Sequence, residues 1–89
     1  MADLQAEFEQ AQKDVETLST RPSNADLLAL YAHYKQATVG DVSGKRPGVT
    51  DFKGRAKYDA WAKLKGMAAD KAKQGYVTKV GALLDAERD

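Results

Sequence analysis

Tyr31-Ala32-His33-Tyr34-Lys35-Gln36-Ala37-Thr38-Val39-Gly40-Asp41 decides how this chain is read. As a helix, the stretch brings Tyr31, Tyr34 and Lys35 onto one surface, because positions i, i+3 and i+4 are neighbours there. Two phenols beside an ammonium make a donor-rich patch with flat rings. Such a patch can hold a phosphate and lay a planar group next to it. Gly40 is placed to end the helix, since glycine tolerates the positive φ of a C-terminal cap.

Upstream, the same helix is expected to begin near Asn24. Ser23 followed by Asp26 resembles a capping box, with Asn24 as an alternative cap. Leu27, Leu28, Leu30, Tyr31, Tyr34, Ala37 and Thr38 predict one broad buried face. To the N-terminal side, Leu4, Phe8, Ala11, Val15 and Leu18 recur at steps of four and three, which predicts a helix from about Asp3 to Leu18. The Ser19-Thr20-Arg21-Pro22 stretch closes it, since proline disfavours helix in the residue before it.

Downstream, Gly40, Ser43, Gly44, Pro47 and Gly48 predict a loop over residues 40–53. A loop that long in a small domain is often functional. Lys45 and Arg46 make it basic, and Val49 and Phe52 are expected to pin it to the body. A third helix is predicted from about Lys53 to Lys65, with Ala56, Ala60, Trp61 and Leu64 as its apolar stripe, Tyr58 beside it and Gly66 as its stop. A fourth runs from about Ala69 to Glu87, where Ala72, Tyr76, Val77, Val80, Leu83 and Leu84 repeat helically across Gly75 and Gly81. No stretch alternates with period two. The expected class is all-α, a four-helix bundle with one long loop between the second and third helices, as a single domain over residues 1–89.

The 89 residues allow a small core. There is no cysteine, hence no disulfide framework or thiol nucleophile, and a reducing compartment fits. The first residues lack the basic and apolar regions of a secretory signal, and no apolar run approaches a membrane span. The net charge of +1 hides a division: residues 1–34 carry two basic residues against six acids, and residues 35–73 carry ten against four. A basic middle favours an anionic partner.

Catalysis finds no support. His33 is the sole histidine and reads as a polar helix-face residue; no His/Asp/Glu spacing matches a metal site. Turn or capping roles suit Asp41, Asp51 and Asp59. Binding is better founded: five of the seven aromatics (Tyr31, Tyr34, Phe52, Tyr58 and Trp61) fall between positions 31 and 61, a span that the basic middle overlaps. Rings interleaved with lysines can stack on a base and hold phosphates. Spacing alone favours core positions for Trp61, Phe52 and Tyr34, while Lys35 and Lys57 lie beside the aromatic stripes. This combination fits a nucleotide-bearing ligand, and a helical module recognising protein or nucleic acid is the rival reading.

Tyr-x-x-Tyr-Lys-Gln-Ala-Thr-x-Gly-Asp over residues 31–41 resembles the second helix of the acyl-CoA-binding proteins, also called the diazepam-binding inhibitor family. Arg46-Pro47-Gly48 and the block Asp51 to Trp61 resemble that family's loop and third helix. Gln5-Ala6-Glu7-Phe8 is similar to its start, and Tyr76-Val77-x-x-Val80 to its last helix. The likeness covers roughly residues 4–86. It implies a cofactor-free, non-catalytic binder and carrier of medium- and long-chain acyl-CoA esters, cytoplasmic and monomeric, that neither binds nucleic acid nor inserts stably into membranes.

By that resemblance Tyr31, Lys35 and Lys57 hold the ribose 3′-phosphate, the adenine lies near Leu27, Leu28 and Tyr31, and Tyr76 lines the ligand. His33, Tyr34 and Lys53 complete the expected ligand-binding set. The acyl chain is expected in a groove shielded from water. Three residues depart from the family's pattern: Tyr58 replaces a tryptophan, Glu16 stands where a lysine is common, and Gln12 replaces a small apolar residue.

Overall fold

The computed structural model describes residues 3–88. It contains four helices: α1 (Leu4–Val15), α2 (Asn24–Thr38), α3 (Phe52–Ala62) and α4 (Ala69–Glu87). Helix α4 packs against both α1 and α2, and α2 packs against α3, so the spatial order is α1–α4–α2–α3. The result is a slab of 39 × 29 × 16 Å rather than a cylinder.

Local chemistry sets most helix ends. The Asp3 carboxylate accepts from the Gln5 N–H at the start of α1. Ser23 Oγ accepts from the Asp26 N–H at 3.1 Å, making Ser23 the cap of α2. Asp51 Oδ1 accepts from the Gly54 N–H at 3.0 Å, which starts α3 at Phe52, one residue before the expected position. Each cap satisfies a donor that has no partner inside its helix. Gly40 stops α2 with φ of 101°, its N–H closing on the Lys35 carbonyl at 3.2 Å. Helix α4 begins at Ala69, and the residue at its N-cap, Ala68, makes no side-chain cap bond.

Helix α1 ends at Val15, three residues short of the predicted Leu18. Thr17 Oγ1 donates to the Asp14 carbonyl at 2.6 Å and the Thr17 N–H donates to the same oxygen, so the chain tightens into a turn. Leu18 remains half-buried beyond it. Helix α3 ends at Ala62, followed by a tight turn running to Gly66 with φ of 90°.

The core joins Phe8 and Ala11 of α1, Leu30 of α2, and Tyr76 and Val80 of α4, with Val15, Ala37, Val77, Leu83 and Leu84 packed against it. Phe8 meets Tyr76 edge-on, with ring centroids 5.2 Å apart. Burying each such side chain contributes about 1.5–3 kcal/mol.

The broad single face expected for α2 is not what forms. Leu30, Ala32 and Gln36 are its buried residues; Leu27, Leu28, Tyr31 and Ala37 are half-buried, and Tyr34 and Thr38 are exposed. Leu30 and the Ala32–Gln36 pair sit on nearly opposite sides of the helix. The reason is architectural: α2 has a neighbour on each flank, α4 and α3, so its burial is divided between two sides.

The connection from α2 to α3 is also held differently from expectation. Val49 is 70% exposed and Phe52 79% exposed, so neither pins the loop. Polar bonds do that work instead. Trp61 Nε1 donates to the Gly40 carbonyl at 2.8 Å, and the Tyr58 hydroxyl donates to the Gly44 carbonyl. Arg46 grips Asp59 with two hydrogen bonds of 2.9 and 2.7 Å.

Gln36, 1% exposed, ties α2 to the α3–α4 connection. Its Nε2 donates to Asp41 Oδ1 and to the Met67 carbonyl, both at 2.9 Å. Asp41 Oδ1 also accepts the Gly66 N–H at 2.8 Å. The Gly66 and Gln36 donors hold the Asp41 carboxyl below its ordinary range. A depressed folded-state value stabilises the fold above about pH 4 and is lost as pH falls through it. Gln36→Ala should lower unfolding free energy in urea by about 3 kcal/mol, since it removes two bonds and leaves a cavity. Asp41→Asn should lose stability at neutral pH, with the gap from wild type narrowing as the melt is moved below about pH 4.

The two glycines of α4 differ. A Cβ on Gly75 would collide with the His33 ring, whereas one on Gly81 would meet nothing within 4 Å. Gly81→Ala should raise stability by about 0.5–1 kcal/mol through helix propensity. Gly75→Ala should lower it, and paired thermal melts will read both signs.

Candidate ligand-binding site

One turn of α2 organises the site. Tyr31, Tyr34 and Lys35 follow the i, i+3, i+4 spacing, and α3 is packed alongside. Lys57 of α3 places its Nζ 5.4 Å from the Tyr31 ring centroid. Lys35 reaches the other way, with Nζ 5.1 Å from the centroid of Trp61. Two ammonium groups are thus held over two aromatic rings at the α2–α3 contact. A ring face attracts a cation by about 0.5–1 kcal/mol at exposed sites, enough to bias a lysine without neutralising it.

Among the described residues, neither Lys35 nor Lys57 has a carboxylate partner; the ion pairs are Arg46–Asp59 and Asp26–Lys79. Lys53, exposed one turn before Lys57 on α3, has none either. Their charge remains available to an external anion.

Tyr34 continues the site toward α1 and α4. Its ring centroid lies 6.0 Å from Phe8 and 6.4 Å from Tyr76. Tyr34 is 39% exposed and Tyr76 is buried, so the aromatic group runs from surface to core. Burial raises the Tyr76 hydroxyl above its usual pKa, aided by the fields of Tyr34 and Glu16. Tyr76 is therefore a neutral hydroxyl at physiological pH. Leu27 and Leu28, half-buried, stand about one turn before Tyr31 on α2.

His33 stands apart from this group. Its Nδ1 donates to the Ala29 carbonyl at 2.7 Å, and its ring packs against Gly75. That position assigns it to the α2–α4 contact. Of the aromatic residues expected in the core, Trp61 is buried, whereas Tyr34 and Phe52 are exposed. From sequence, Asp41 has a turn or capping role and Gln36 no role beyond the motif; a glutamine among apolar helix positions was the available signal of a buried connector.

The departures also find places. Tyr58 uses its hydroxyl on Gly44, and Gln12 turns its amide toward the Phe8 carbonyl. Glu16 caps α1 and, with Glu9, Gln12 and Lys13, lines an open hollow of about 380 Å³. None of the expected ligand-binding residues lines that hollow. A groove of about 240 Å³ runs along the α1–α4 contact, with Glu7, Gln10 and Asp14 on its α1 side and Val77, Val80 and Leu84 on its α4 side.

The sequence model of the family described as "Acyl CoA binding protein" matches residues 5–80. The chain belongs to the acyl-CoA-binding protein family. It is 50% identical to an acyl-CoA-binding protein of Brassica napus over 84 residues, covering 94% of this chain and 91% of that one. It is 46% identical to an acyl-CoA-binding protein homolog of Manduca sexta, covering 91% of each. The crystal structure of Oryza sativa acyl-CoA-binding protein 2 superposes with a TM-score of 0.91 at 44% identity, covering 97% of this chain and 94% of that chain.

The expected all-α fold of the family is the observed one. As a family member, the protein is a binder of acyl-CoA and not an enzyme, with acyl-CoA as ligand and no cofactor indicated. No helix among the described residues is long and apolar enough to cross a membrane.

Because Lys35 and Lys57 lack ion-pair partners among the described residues, their removal should barely affect folding. Lys35→Ala and Lys57→Ala should each change unfolding free energy by no more than about 1 kcal/mol, the scale of an exposed cation–π contact, in urea titrations.

Proposed function

We propose that the protein is a single acyl-CoA-binding domain over residues 1–89 that carries medium- and long-chain acyl-CoA esters and keeps a protected pool of them. In this reading Tyr31, Lys35 and Lys57 hold the ribose 3′-phosphate, and Lys53 adds to the local positive field. Leu27, Leu28 and Tyr31 offer half-buried surface for the adenine. Tyr34 and Tyr76 line the ligand further along. His33 acts indirectly, by seating α2 on α4.

The observation that carries this reading is the pair of uncompensated ammonium groups poised over Tyr31 and Trp61. A phosphate can recruit both without breaking an existing ion pair. Charge-assisted hydrogen bonds contribute on the order of 1.5–3 kcal/mol each. Each acyl methylene taken out of water adds up to about 0.8 kcal/mol. The headgroup alone should therefore bind weakly, and a free fatty acid, lacking the phosphate anchor, should bind poorly. Sequestration without chemistry keeps the ester dispersed and away from hydrolysis. The proposed setting is the cytoplasm, and the proposed state a monomer.

Isothermal titration calorimetry with hexadecanoyl-CoA, coenzyme A and hexadecanoate tests the proposal. Tight one-to-one binding of the ester, with far weaker binding of either half, is expected; equal affinity for coenzyme A and its ester would refute it. Lys35→Ala should weaken ester binding by about tenfold to a hundredfold, the value of one charge-assisted contact. An unchanged affinity removes Lys35 from the phosphate site.

A further inference from the structure

The end of the α2–α3 loop leaves two apolar side chains in water for no structural reason. Val49 is 70% exposed and Phe52 79% exposed, three residues apart at the entrance to α3. This is not a slack segment. Bonds from Trp61, Tyr58 and Arg46 fasten the preceding loop to α3, and the Asp51 cap fixes the first turn that carries Phe52. A loop so anchored could have turned these side chains inward; it presents them outward instead.

The surroundings are basic. Between residues 43 and 55 lie Lys45, Arg46, Lys53 and Arg55 against the single acid Asp51. Asp51 is engaged with the Gly54 N–H, and Arg46 is paired with Asp59. Lys45 and Lys53 are exposed and have no carboxylate partner among the described residues. The tip is therefore an apolar pair flanked by uncompensated positive charge.

We infer that this tip docks the protein reversibly on an anionic bilayer surface, with Phe52 and Val49 entering the headgroup region and Lys45 and Lys53 facing acidic lipids. Area decides between a bilayer and a protein partner. A stable protein interface buries about 800 Å² on each side. A phenylalanine and a valine offer only a few hundred, since even a large aromatic side chain buries about 150–250 Å². Shallow insertion beside basic residues needs no more than that, and a single such contact is weak and reversible. Charge complementarity points the same way, because cytoplasmic leaflets are anionic. Docking by this tip needs no membrane-spanning helix.

The test is flotation of the ligand-free protein with vesicles of phosphatidylcholine, with and without roughly a third phosphatidylserine, alongside hexadecanoyl-CoA titration in solution. The protein should float with the anionic vesicles and less with the neutral ones. Val49→Ser with Phe52→Ser should cut that binding by about tenfold or more. Lys45→Gln should cut it by about fivefold. Both variants should retain the native affinity for the ester in solution. Val49→Phe should strengthen flotation, a gain that loss of folding cannot imitate. Three results would overturn the inference: no flotation of the native protein with anionic vesicles, native flotation of the double variant, or a parallel fall in its ester affinity. The last would make Phe52 a cover for bound ligand. Failure of ester binding with intact flotation would refute the proposed carrier function and leave the docking surface standing.

Discussion

The amide of Gln36 is the joint on which the arrangement depends. It is buried, it lies on the central helix, and it donates to both Asp41 and Met67. Asp41 passes the connection to Gly66. A polar group at this depth is costly if it loses its partners, so the bonds specify one geometry more sharply than an apolar contact of equal size. The end of α2 and the turn between α3 and α4 are thereby held together. That joint keeps α3 against α2, and the α2–α3 contact is where the two lysines meet the two rings.

Helix α2 is shared between two jobs that compete for its surface. Leu30 joins the core with α1 and α4, while Ala32 and Gln36 face elsewhere and are equally buried. What remains half-exposed is the strip bearing Leu27, Leu28, Tyr31, Tyr34 and Lys35. The strip proposed for binding is surface that packing leaves unused on a helix with partners on two flanks. Rings at the contact then serve twice. Trp61 is core by burial, a clamp for the loop through its N–H, and a platform for Lys35 through its face. This lets the lysines be positioned without carboxylates, which would have satisfied the charge an anionic ligand needs.

The long loop follows the same economy. Its fastening is polar, through Arg46, Tyr58 and Trp61, and Val49 and Phe52 at its end are outside. A bidentate arginine pair at the surface contributes little to global stability, but it fixes local geometry well. The loop can therefore be ordered without spending Val49 and Phe52 on its own burial.

Periodicity placed all four helices, and the caps Ser23 and Asp51, the stop at Gly40 and the resemblance of residues 31–41 and 51–61 were legible because they depend on neighbours along the chain. The grouping of Tyr31, Tyr34 and Lys35 was legible for the same reason, since helix geometry alone makes them adjacent. What could not be read were facts set by distant partners. The split burial of α2, the packing of His33 on Gly75, the buried tie of Gln36 and the outward Phe52 each depend on where another helix comes to rest. An apolar residue carries the same signal in sequence whether it faces a core or water. The sequence by itself determined the four helices, the caps at Ser23 and Asp51, the stop at Gly40 and the chemistry along one face; only tertiary structure decided which faces are covered, because burial is a property of pairs of elements rather than of either one.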